Sequence, residues 1–94
     1  MKSYASVDRI EGAFAVCEVE QVDTEDSKML DVLQKATIMA DIPMLKIRVC
    51  LGNDVEEGDI IIVEHEDGYV INVYDKDDEE KQRRIEIIKE MMQV

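Results

Sequence analysis

Aromatic residues are scarce in this chain, with one Phe, three Tyr and no Trp among 94 residues. Its core must therefore rest on Ile, Val, Leu and Met, since apolar residues still make up 46% of the whole. Proline occurs once, at Pro43, and the four glycines form no phosphate-cradling loop. Positive charge is also in deficit: 11 Lys and Arg stand against 23 Asp and Glu, for a net charge of −12. A field of that sign repels phosphate backbones and excludes non-specific binding to DNA or RNA. It keeps a small domain soluble and would attract a basic partner. No apolar run approaches the roughly 20 residues of a membrane span, and "MKSYASVDRI" has no signal-peptide core. The expected setting is cytoplasmic, away from membranes.

Catalytic side chains are equally thin on the ground. His65 is the only histidine, and no Ser or Cys stands near it in sequence to form a nucleophile and base pair, so a surface or rim position is expected. Cys17 and Cys50 stand singly in apolar surroundings rather than as CxxC, which predicts two buried, reduced thiols. Among 23 acids chance pairs are unavoidable, and none is assigned a catalytic role. Asp75, Asp77, Glu79 and Glu86 match part of a calcium-loop spacing, but Glu80 stands at the turn glycine and Arg83 at a ligand position. A helix N-terminus explains the same acids. The expectation is a chain with no enzymatic activity, no cofactor and no metal.

What is present reads as one mostly β (α+β) domain of 94 residues, a small antiparallel five-stranded SH3-like or OB-like partial barrel with a C-terminal α-helix. Residues 1–20 form a hairpin turning at Glu11-Gly12. Residues 21–43 read as an insertion with a short helix over 25–35, N-capped by Thr24, with a strand over 29–33 as the alternative. Pro43 confines its segment to an edge strand or a strand start. In 44–74, "MLKIRVCL" alternates Leu45, Ile47, Val49 and Leu51 with more polar positions, as a strand with one buried face would. Asp67-Gly68 then closes a tight hairpin, because both positions tolerate positive φ. Residues 75–94 switch to helical periodicity, with Asp77 as N-cap, Glu80 three residues on, and Glu79–Arg83 and Glu80–Arg84 pairs at i,i+4. Ile85, Ile88 and Met92 make a stripe that should cover the sheet or meet a second molecule. The methionines, among them Met29, Met39, Met44, Met91 and Met92, are expected mainly as core filler or cover.

The order of four segments, "VDRIEGAFAVCEVE", "MADIPM", "VEEGDIIIV" and "DDEEKQRRIEIIKEMM", resembles the small bacterial family called domain of unknown function 3006. Asp8, Arg9, Ile10, Glu11 and Gly12, then Ala15, Val16 and Glu18, then Gly58-Asp59, carry the resemblance over about two thirds of the chain. Members of that family are usually shorter between the hairpin and the Asp-apolar-Pro segment, which implies an insertion here. The family has no assigned activity, so the resemblance implies no active-site residue. It does single out Asp8, Arg9 and Glu11 as a scaffold or a partner-facing patch, with Arg9 expected to be partly buried and hydrogen-bonded.

The functional expectation is a non-enzymatic protein-interaction or accessory module, bound through a sheet edge or the C-terminal helix. Its candidate residues are Asp8, Arg9, Glu11, Ile85, Ile88 and Met92, and its partner is an unknown protein or a second copy. The alternative is an acidic nucleic-acid mimic that occupies a basic partner surface, for which the charge is the motive.

Overall fold

The computed structural model describes residues 1–30 and 35–93. Five strands, β1 (Lys2–Glu11), β2 (Phe14–Glu20), β3 (Thr37–Pro43), β4 (Ile60–Glu66) and β5 (Tyr69–Lys76), form one antiparallel sheet in the order β3-β2-β1-β4-β5. The sheet curls into a half-barrel, bringing its edge strands β3 and β5 towards each other across an open seam. Three helices accompany it: α1 (Thr24–Met29), α2 (Met44–Leu51) and α3 (Asp78–Met92).

Alternation along the strands divides the side chains between two faces. Ala5, Val7, Ala15, Cys17, Val19, Ile61, Val63 and Val73 line the inner face, where Ile42, Met44, Ile47 and Val55 close over them. The core is aliphatic, as the shortage of aromatics dictates. On the outer face Tyr4, Val16 and Ile60 are buried beside charged residues. A bulge between Val7 and Arg9 interrupts the alternation in β1 and turns the tip of the first hairpin out of the barrel, so that residues 8–14 are all exposed. The β4–β5 hairpin turns at Asp67 (φ 51°) and Gly68 (φ 82°), the left-handed pair that a two-residue turn requires.

The largest departure from the sequence reading is residues 44–51, which form a helix and not a strand. Both periods fit this segment, because Met44, Ile47 and Leu51 also fall at i, i+3 and i+7. In the helix Met44 and Ile47 are buried, while Leu45 and Val49, expected inside, are 70% and 77% exposed. Pro43, with φ −57°, enters the helix without needing an N–H, and Gly52 ends it at φ 74°. Eight residues of helix span about 12 Å, a plug for the inner face, whereas the same residues extended would overrun it.

The 21–43 segment holds α1, which is capped by Asp23 and not Thr24: the Asp23 carboxylate accepts the Asp26 N–H at 2.7 Å. α1 ends at Met29, six residues before the expected end. Leu30 is already extended, and the rest of the expected helix, with most of the alternative strand, falls on 31–34, outside the described residues. Pro43 closes β3, an edge strand, in keeping with its missing donor. α3 begins as expected, with Asp77 Oδ1 accepting the Glu80 N–H at 2.9 Å.

Candidate functional site

α3 does not dock by its apolar stripe. Its buried residues are Glu80 and Arg84, while Ile85 is only half-buried and Ile88 and Met92 are 46% and 80% exposed. The reason is on the sheet: Glu20, on the outer face of β2, is buried and needs a cation. Arg84 supplies it, its Nη1 standing 2.8 Å from Glu20 Oε2 while its Nε donates to Glu80 Oε1 at 2.9 Å. Ser27 of α1 donates to Glu20 Oε1 at 2.5 Å, and the Arg84 guanidinium lies 5.1 Å from the centre of the Tyr4 ring. Lys35 Nζ is 3.9 Å from the same Glu20 carboxylate.

Two of these groups, Glu80 and Lys35, titrate away from their ordinary values. Burial alone would push the Glu80 carboxyl up, but hydrogen bonds from Arg83 and Arg84, with their charges, outweigh it and hold it at about 2. Burial and then the nearby Arg84 charge lower the Lys35 ammonium, against the pull of Glu20. A third buried acid, Asp59, is lowered as Glu80 is, despite burial, by hydrogen bonds from Lys81 and the Glu56 N–H and by the Lys76 charge. Lys81 Nζ lies 2.8 Å from it, tying the start of α3 to the turn before β4. Both clusters are inward-looking: the charges named pair with neighbours, except that the buried Lys35 Nζ makes no hydrogen bond among the described residues and only approaches Glu20.

His65 is buried, at 7% exposure, and not on the rim. The fold brings it to Ser3, 62 positions away, with Nε2 2.8 Å from Ser3 Oγ. Ser3 Oγ in turn stands 2.6 Å from the Val22 carbonyl oxygen. A carbonyl cannot donate, so the serine proton lies on that bond and His65 Nε2–H must donate to the hydroxyl. The serine proton is thus committed away from the imidazole, the reverse of what a general base needs. Burial first, then the N-terminal ammonium, lowers the imidazole pKa, favouring the neutral ring. The pair ties β1 and β4 to the chain leaving β2.

Cys17 is buried and burial pushes its thiol up to about 12, whereas Cys50, expected to be buried as well, is exposed on α2. Of the methionines, Met44 alone reaches the core; Met29, Met39, Met91 and Met92 are exposed. Asp8, Arg9 and Glu11 do come together: Arg9 Nη1 meets Asp8 Oδ2 and Arg9 Nε meets Glu11 Oε1, each at 2.6 Å. Arg9 is hydrogen-bonded as expected, but its side chain is 48% exposed and lies on the surface, because the bulge carries this trio off the barrel. Ile85, Ile88 and Met92 lie far along the chain from it on α3, and the two groups form no shared site.

The remaining feature is the seam. A cleft of about 320 Å³ separates residues 39–43 of β3 from Gly68, Tyr69 and Val70. At Gly68 it adjoins a wider mouth lined by Met1, Gln21, Ile38, His65, Glu66 and Asp67. Ile38, Met39 and Tyr69 expose apolar surface along it. Among the described residues no strand pairs with the outer side of β3. Sequence reasoning reached a sheet edge through Pro43 but not these residues, since only the curl places Tyr69 opposite Met39.

No helix among the described residues is long and apolar enough to cross a membrane. The fold and the seam define a small half-barrel domain with an open edge. No protein-family model, curated protein or solved structure matches the chain.

Proposed function

We propose that this chain is a non-enzymatic protein-interaction or accessory module that engages its partner at the open seam of the half-barrel. The observation that carries this reading is the edge strand β3, unpaired on one side among the described residues and flanked by exposed Ile38, Met39 and Tyr69. Unpaired backbone gives affinity to an incoming strand, and the apolar side chains beside it give area to bury. The resemblance to domain of unknown function 3006 is compatible with such a role and adds no activity to it.

The test is affinity capture from the native host's lysate with the wild-type chain, an Ile38→Ser/Tyr69→Ser variant and an Ile88→Ser/Met92→Ser variant, each washed at low and at high salt. A partner held through high salt and lost only with the seam variant supports the reading. Loss only with the α3 variant moves the site to the C-terminal helix. A partner released by salt from all three favours the acidic nucleic-acid mimic, for which the net charge of −12 is the motive.

A further inference from the structure

The β3 edge has a readable hydrogen-bonding pattern. On its paired side the ladder is bracketed by two bonds, Gln21 N–H to Ala36 O at 3.0 Å and Met44 N–H to Ala13 O at 2.8 Å. The register between them runs without a shift: Val19 opposite Ile38, Cys17 opposite Ala40, Ala15 opposite Ile42. In an antiparallel ladder the peptide groups alternate in direction, so Ile38, Ala40 and Ile42 turn theirs to β2. Met39 and Asp41 therefore turn both N–H and C=O away from the sheet. Pro43 has no N–H and ends the open edge. Across the cleft the β5 lip is already engaged, for the Val70 carbonyl accepts from Lys46 Nζ at 3.4 Å. Among the described residues β3 and β5 are the two sheet edges, and β3 is the one whose outward groups carry no such bond.

Side chains give the occupant its chemistry. Ile38 and Ala40 share the inner face with Val19 and Cys17, and across the cleft stand Tyr69 and Val70, so a strand laid on β3 meets apolar surface on that side. Asp41, on the outer face and exposed, would stand beside the alternate side chains of that strand. Glu66 and Asp67 stand at the mouth as exposed acids, while the two cations near them are already engaged, the Met1 ammonium at Glu64 and Lys46 at the Val70 carbonyl. We infer that the β3 edge takes an extended peptide whose apolar residues alternate with basic ones, added as a sixth strand. This rests on the seam reading above and supplies its partner's chemistry. A second copy of the chain is a poor occupant, since two molecules of charge −12 repel and β3–β3 pairing brings two Asp41 carboxylates together.

The test uses the full isotope-labelled chain and two blocked peptides, one of alternating Lys and Val and one of alternating Glu and Val, followed by amide shifts and hydrogen exchange. The expected result is shifts over Thr37–Asp41 with the Lys peptide, slowed exchange at Met39 and Asp41, and binding at least about tenfold weaker for the Glu peptide. Met39→Pro removes an N–H that β2 does not use and should weaken the Lys peptide by at least about tenfold. A Lys peptide N-methylated on the amides that face β3 should lose binding to the unaltered chain, which keeps the test valid if that variant misfolds. Asp41→Lys should reverse the preference. Equal binding of both peptides at β3 overturns the basic chemistry and leaves the seam reading standing. Shifts confined to α3, or none with either peptide up to about millimolar concentration, overturn both. Concentration-dependent dimers protected at β3 overturn the peptide in favour of a second copy.

Discussion

The two faces of the sheet are closed by opposite chemistries. Inside, α2 sets Met44 and Ile47 on Ala5, Val7, Ile61 and Val63, and nothing directional is required. Outside, α3 sets Arg84 between the Glu20 and Glu80 carboxylates, with Ser27 bonded to the first and the Tyr4 ring beneath the guanidinium. The inner contact contributes stability in proportion to area. The outer one recovers the cost of burying charge only in one geometry, so it dictates where α3 sits more than how tightly it holds. That is why the more apolar side of α3 is left exposed.

Removing one partner of the outer cluster should have the largest effect. Arg84→Met leaves Glu20 and Glu80 without their shared cation and is expected to cost about 3 to 5 kcal/mol in urea unfolding. A triple variant, Glu20→Leu/Glu80→Leu/Arg84→Met, should recover most of that loss. If it instead recovers nothing, the cluster contributes net stability and the contrast with the inner face fails. On the inner face, Ile61→Ala should cost about 2 to 4 kcal/mol, with little change between pH 7 and pH 3.

Acid should separate the faces without mutation. The Glu80 carboxyl is lowered from 4.5 to about 2 in the fold, so its contribution is complete above the unfolded value and is lost as pH falls towards the folded one. Unfolding free energy should drop by up to about 3 kcal/mol between pH 4.5 and 2 on this account. Glu80→Gln, less stable at pH 7, should show a flatter profile across that window. The smallest effect belongs to the exposed trio at the hairpin tip: Arg9→Met should change stability by less than about 1 kcal/mol, because solvent screens its pairs with Asp8 and Glu11. A larger loss would mean that the tip is braced in a way its exposure does not suggest.

Three local signals survived folding unchanged, although the expected Thr24 cap gave way to Asp23. Asp67-Gly68 makes its turn, Asp77 caps α3, and Pro43 lies on an edge, since each depends on a few neighbouring bonds. Where two periods fitted one segment, as from Met44 to Leu51, alternation was the weaker guide. The segment faces an inner cavity that a short helix plugs, and that cavity belongs to other strands. The Glu80–Arg84 spacing was visible, but an i,i+4 pair reads the same whether it is solvated or buried. Glu20, the residue that makes the difference, is 60 positions from Glu80. Of the seam, Pro43 and the Asp67-Gly68 turn were legible one by one, but not their juxtaposition.

Composition determined the aliphatic core and the acidic surface, because both follow from which side chains exist at all. Periodicity and turn chemistry determined the two hairpins, the half-barrel class and the C-terminal helix. Tertiary structure decided the rest: the helix at α2, the face by which α3 docks, the Ser3–His65 bond across 62 positions, and the placing of Met39 and Tyr69 on the two sides of the seam. These depend on contacts between segments distant in the chain, and burial converts a side chain that is harmless in water into one that must find its partner.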